Sequence, residues 1–130
     1  MGDRCARRDA EAPTNELLVA MKDNVTNPWR PPGGGLEGVL VHDVIHGLDI
    51  TVPLGINRTL PEERVRMVLD AVTQPKTLRY FAVDLTGIEL RASDLDWSFG
   101  TGTPTVGLAQ DLALLLCGRQ PSLGRGAQRP

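Results

Sequence analysis

Leu36-Glu-Gly-Val-Leu-Val-His42-Asp-Val-Ile-His46-Gly-Leu-Asp49-Ile50 is the stretch on which the fold turns. Leu36, Val39, Leu40, Val44, Ile45 and Leu48 recur at helical spacing. The run is rich enough in β-branched residues for a strand to compete, but its length favours a helix. On that helix His42 and His46 lie four residues apart and Asp49 three further on, so all three project from one face. Two neutral imidazoles and a carboxylate at this spacing suit Zn, Ni or Fe. By spacing alone, two histidines so placed are more often surface or satisfied core residues than ligands. Asp49 is open to a purely structural role, capping or hydrogen-bonding a neighbouring loop.

Upstream, Pro13-Thr14 followed by Asn15-Glu16-Leu17-Leu18-Val19-Ala20-Met21 reads as a helix capped by Thr14. Leu17, Leu18, Met21 and Val25 share a face, and the helix ends near Val25. Asn27-Pro28-Trp29-Arg30-Pro31-Pro32-Gly33-Gly34-Gly35 is a loop, because its prolines and glycines remove donors and backbone restraint together. Trp29 is a candidate anchor for it. The three glycines ahead of a helix make a weak phosphate site, since no P-loop Lys or Ser/Thr follows and no strand leads in.

Downstream, Thr59-Leu60-Pro61-Glu62 has the form of a capping box, and Val65, Val68, Leu69 and Val72 then keep the i, i+3, i+4, i+7 rule. The period changes at Ile88, Leu90 and Ala92, which alternate with Glu89, Arg91 and Ser93 as in a half-buried strand. Gly100-Thr101-Gly102-Thr103-Pro104 reads as the turn to a return strand, giving a small hairpin. Asp94 and Asp96 beside Trp97 are read as binding turn amides while the indole packs under the loop, in preference to general acid/base work. Leu108 to Cys117 is a buried helix closed by Gly118.

These elements make an α+β chain, mainly helical, with residues 1–13 a disordered polar lead-in, 14–118 one domain and 119–130 a disordered tail. A length of 130 residues with 41% hydrophobic content supports one modest core. The formal charge of −2 is spread along the chain, with no basic stripe for nucleic acid or an anionic membrane surface. No segment approaches the roughly 20 apolar residues of a membrane span, and the start lacks a signal-peptide core, so a cytoplasmic location is expected. Cys5 and Cys117 are expected as free thiols, the latter in the core.

Three stretches, in order, resemble one known family. His42-Asp-Val-Ile-His46-Gly-Leu-Asp49-Ile-Thr-Val-Pro-Leu-Gly55 with Leu60-Pro-Glu-Glu-Arg64 is the first. Leu90-Arg-Ala-Ser-Asp94-Leu-Asp96-Trp97-Ser98-Phe-Gly100 is the second, and Leu116-Cys-Gly118-Arg119 the third. Over residues 36 to 119 the chain is similar to the later part of the mycothiol-dependent maleylpyruvate isomerase family. That resemblance implies a partial DinB-like helix bundle around one divalent metal, with His42 and His46 as the late-helix ligand pair. It also implies mycothiol as cofactor and, as partners, that small-molecule thiol and an electrophilic substrate in a transfer or isomerisation reaction. The family's earlier histidine has no counterpart among this chain's two, which points to a chain without the family's first helices. Asp49 or a residue from a homodimer partner is then the candidate replacement, and a non-catalytic oligomerising module the alternative function.

Overall fold

The computed structural model describes residues 2–28 and 35–120, which form two units. The first holds α1 (Gly2–Ala10) and α2 (Thr14–Asp23). Helix α1 replaces the disordered lead-in expected from the sequence; Arg and Ala, which dominate it, are strong helix formers. In α2 the cap is Pro13 rather than Thr14: the Pro13 carbonyl accepts from the Glu16 and Leu17 amides, and no side chain caps the helix. None of the α2 side chains is buried, and Leu18, Val19 and Met21 are more than half exposed.

The second unit runs α3 (Gly35–Thr51), α4 (Glu62–Val72), α5 (Pro75–Tyr80), β1 (Ile88–Ala92), β2 (Ser98–Gly100), β3 (Thr103–Gly107) and α6 (Ala109–Leu116). Length decided the β-branched stretch in favour of helix, and α3 buries Val44, Ile45 and Leu48. Helix α4 packs against both α3 and α6 through Val65, Val68, Leu69 and Val72, the residues its periodicity selects. From α6 come Leu112, Ala113, Leu114 and Leu116, and from the sheet Leu90 and Ala92, so three helices and one sheet face close a single core.

Thr59 does not cap α4. Pro61 occupies the N-cap position, without a side-chain hydrogen bond, and Glu62 instead pairs with Arg66 one turn on.

The fold is thus mainly helical α+β, as the sequence implies, but the β element is larger than a hairpin. Strand β1 pairs antiparallel with β2 and parallel with β3, in the order β2-β1-β3. The hairpin connection is the segment 93–97, whereas Gly100 to Thr103 turns the chain from β2 into β3 on the far side of β1. A turn-rich string between two short strands does not say which neighbours pair, because register depends on which face meets the core.

Helix α6 ends as expected, with Gly118 at φ +74°. A glycine tolerates this left-handed geometry at no steric cost, and the chain reverses so that the Arg119 amide donates to the Leu114 carbonyl. Trp29, Gly33 and Gly34, and residues 121–130 lie outside the described residues. Among the described residues no helix is long and apolar enough to cross a membrane.

Candidate functional site

Burial of Val44, Ile45 and Leu48 fixes the rotation of α3 and turns His42, His46 and Asp49 away from the core. The two imidazoles sit side by side, with ring centroids 5.2 Å apart and planes tilted by 55°. Both are exposed. The helical spacing therefore does bring the pair together, with Asp49 beside it: His46 Nδ1 lies 3.2 Å from Asp49 Oδ2.

Asp49 has a second partner that its sequence neighbourhood does not announce. Arg119, carried back over the end of α6 by Gly118, donates from Nε to Oδ1 at 3.1 Å and from Nη2 to Oδ2 at 2.9 Å. Its Nη1 donates to the Cys117 carbonyl at 2.7 Å, so the guanidinium is held at both ends. The hydrogen bonds from Arg119, reinforced by His46, hold the Asp49 carboxyl below its ordinary range. Asp49 thus serves as hydrogen-bond acceptor to Arg119 and stands beside His46.

Compared with family models, curated proteins and solved structures, the chain matches none.

A pocket of about 230 Å³ opens beside the histidines. Val41, Ile45, Phe81 and Cys117 supply its apolar lining, with Tyr80 and Arg119 at its edge and His42 and His46 on its wall. Tyr80 and Phe81 meet edge to face, 4.9 Å between centroids, and form an aromatic rim. Their presence could not be anticipated from the sequence, where Pro75–Tyr80 shows no usable period; it is the Pro at the first position of α5 that starts the helix. Cys117 is buried, and burial pushes its thiol up to about 11, so it stays protonated near neutral pH.

Two imidazole nitrogens are an incomplete donor set. Among the described residues no group of three His, Cys, Asp or Glu side chains stands close enough to hold a metal ion. What the site does have is the orienting carboxylate that metal-bound histidines commonly use: a ring nitrogen of His46 held by Asp49 leaves Nε2 as the free donor.

The Asp94–Trp97 cluster is structural, though not as the sequence reading had it. Asp94 Oδ1 accepts from the Ala109 amide at 2.8 Å and so caps α6 across fifteen residues, rather than bonding amides of its own turn. Trp97 is half-buried, stacks near Phe99 and directs its indole N–H towards Asp70 at 3.4 Å. Asp96 contributes its carbonyl, which accepts from Arg66 at 2.7 Å.

Proposed function

We propose that this chain is a DinB-like protein of the maleylpyruvate isomerase family, acting in the cytoplasm on an electrophilic substrate with mycothiol as the thiol. His42 and His46 would hold a divalent metal, Zn, Ni or Fe. The observation that carries the reading is the pairing of these two exposed imidazoles at the wall of an apolar pocket, with His46 oriented by an Arg119-anchored Asp49. A divalent metal bound there would lower the pKa of a coordinated thiol and keep it as thiolate.

The chain's own residues account for the remainder. Asp49 and Arg119 fix the imidazole that donates, and Val41, Ile45 and Phe81 exclude water from one side of the pocket. Cys117, buried and protonated at the lining of the pocket, offers no thiolate of its own, which supports a thiol brought from outside. Transfer and cis–trans isomerisation both begin with attack of that thiolate on the electrophile.

Elemental analysis of the purified protein after loading with zinc, nickel or iron tests this reading. Near-stoichiometric metal that is lost in both His42→Ala and His46→Ala is expected, and a metal-free wild type would sink it.

A second reading is favoured by one observation of its own. The apolar side chains of α2 are exposed, Met21 by 71%, and an isolated helix of ten residues is marginal in water. A non-catalytic module that covers this face by homo- or hetero-oligomerisation would explain them. Sedimentation of the wild type beside Leu18→Glu tests it: a dimer that dissociates in the variant supports the module, and a monomer in both opposes it.

A further inference from the structure

A second concavity, sharing no residue with the histidine pocket, lies between the α3–α4 loop and the first turn of α6. It measures about 470 Å³, within the roughly 300–1,000 Å³ of small-molecule sites. Its bed is apolar, made by Leu48, Val52 and Leu108, and Asn57 and Gln110 stand at its polar side. A neighbouring cavity that adds Asp94 shares Asn57, Arg58, Leu108 and Gln110 with it.

Its charges do not balance. Asp111 is half-buried against the apolar bed, and no described cation forms an ion pair with it. Burial, and then the nearby Asp94 carboxylate, push its carboxyl above the ordinary value, against the opposing side-chain hydrogen bond from Gln110 and although it sits in the first turn of a helix, where a carboxylate is normally favoured. The cation of the cleft is Arg58, and it faces Asp43 rather than Asp111: its guanidinium lies against Gly47 of α3 with Nη2 3.5 Å from Asp43 Oδ2. One carboxyl thus faces an apolar concavity with its charge unmatched.

We propose that this cleft binds a small organic cation, an amine on a compact apolar body, with Asp111 as counter-ion and Leu48, Val52 and Leu108 as the bed. A cation placed there matches the Asp111 charge and screens it from Asp94, while its hydrocarbon part covers the partly exposed Val52 and Leu108 over the buried Leu48. An anion would have to displace Asp43 from Arg58 and approach two carboxylates.

The test is a titration of the ¹⁵N-labelled protein, followed by amide chemical shifts, with benzylamine, benzyl alcohol and benzoate at neutral pH. These probes share one ring and differ in charge. Benzylamine is expected to shift the amides of Val52, Asn57, Gln110 and Asp111, with the alcohol weaker and benzoate inert. Asp111→Asn is expected to weaken benzylamine about tenfold, the loss of one charge-assisted hydrogen bond. Asp84→Asn, which removes a carboxylate elsewhere, is expected to leave it unchanged. Absence of shifts at these amides, stronger shifts from benzoate, or undiminished affinity in Asp111→Asn would each overturn the proposal. Because the wild type alone separates the three probes, the result does not depend on how well the variant folds.

Discussion

Arg119 and Asp49, seventy residues apart, meet through two nearly parallel hydrogen bonds, Nε to Oδ1 and Nη2 to Oδ2. Both side chains are about one-third exposed, so solvent weakens the pair, but the two-point geometry and the tie to the Cys117 carbonyl set it apart from an ordinary surface contact. Asp49→Ala, Arg119→Ala and the double variant, compared by urea unfolding, are expected to give a coupling of about 1 kcal/mol.

The pair also sets a pH dependence. Because Arg119 holds the Asp49 carboxyl below its ordinary value of 3.8, the folded state binds that proton less readily than the unfolded chain. The contribution is therefore complete above pH 3.8 and is lost as pH falls through the lower, folded value. Unfolding curves of wild type and Arg119→Ala are expected to differ at pH 6 and to converge at strongly acid pH, where Asp49 is protonated in both states. A constant difference down to that pH would show that Arg119 acts by packing alone.

Cys117 titrates in the opposite sense. Burial raises its thiol from 9.0 to about 11, so the unfolded chain loses this proton first and the folded state is penalised as pH climbs between those values. Below pH 9, in a Cys5→Ser background, native Cys117 is expected to react with an aromatic disulfide reagent only as fast as the fold opens, many times more slowly than the same chain in denaturant. Fast, stoichiometric labelling of Cys117 at pH 7.5 would place the thiol in the pocket as a reactive group and remove the argument for an external one.

Asp94 and Asp96 separate two kinds of acid that the sequence places side by side. Asp94→Ala removes the acceptor for the Ala109 amide at the start of α6 and is expected to cost about 1 kcal/mol, the usual value of an N-terminal cap. Asp96→Ala leaves the carbonyl that Arg66 uses and is expected to change stability by less than about 0.5 kcal/mol. Thermal melts of the two variants decide it; equal effects would mean that the cap is not what Asp94 contributes.

The contrast shows where sequence reasoning reaches and where it stops. The apolar period located α3, α4 and α6 and selected Val65, Val68, Leu69 and Leu48 for the core, because helical spacing and burial are the same fact seen twice. It also brought His42 and His46 together, since an i, i+4 pair needs nothing beyond the helix. The partners of Asp49 and Asp94 were not legible. Arg119 sits in what reads as a tail and Ala109 on another element, and contacts across 70 and 15 residues depend on how the core assembles. Strand β2 escaped, and the strand after the glycine turn was expected to return antiparallel, for the same reason: the parallel pairing of β3 with β1 is set by the side of the sheet that the chain reaches after Gly100, and no local period records that choice.

Gly47 and Gly102 carry opposite predictions for the same substitution. At Gly47, inside α3, a Cβ would run into the tip of the Arg58 side chain, which can swing aside at the cost of its contact with Asp43. Alanine gains about 1 kcal/mol of helix propensity over glycine, so Gly47→Ala is expected to lie within about 0.5 kcal/mol of wild type. At Gly102 the backbone sits at φ +136° and a Cβ would meet the carbonyl and Cα of Gly87, neither of which can rotate away. Gly102→Ala is expected to cost about 2–3 kcal/mol and to loosen the β2–β3 turn, seen as lost amide protection at Thr103, whose N–H donates to Gly87 at 2.8 Å. If Gly47→Ala proved the more damaging of the two, Arg58 would be held over α3 more firmly than a 3.5 Å contact with Asp43 implies.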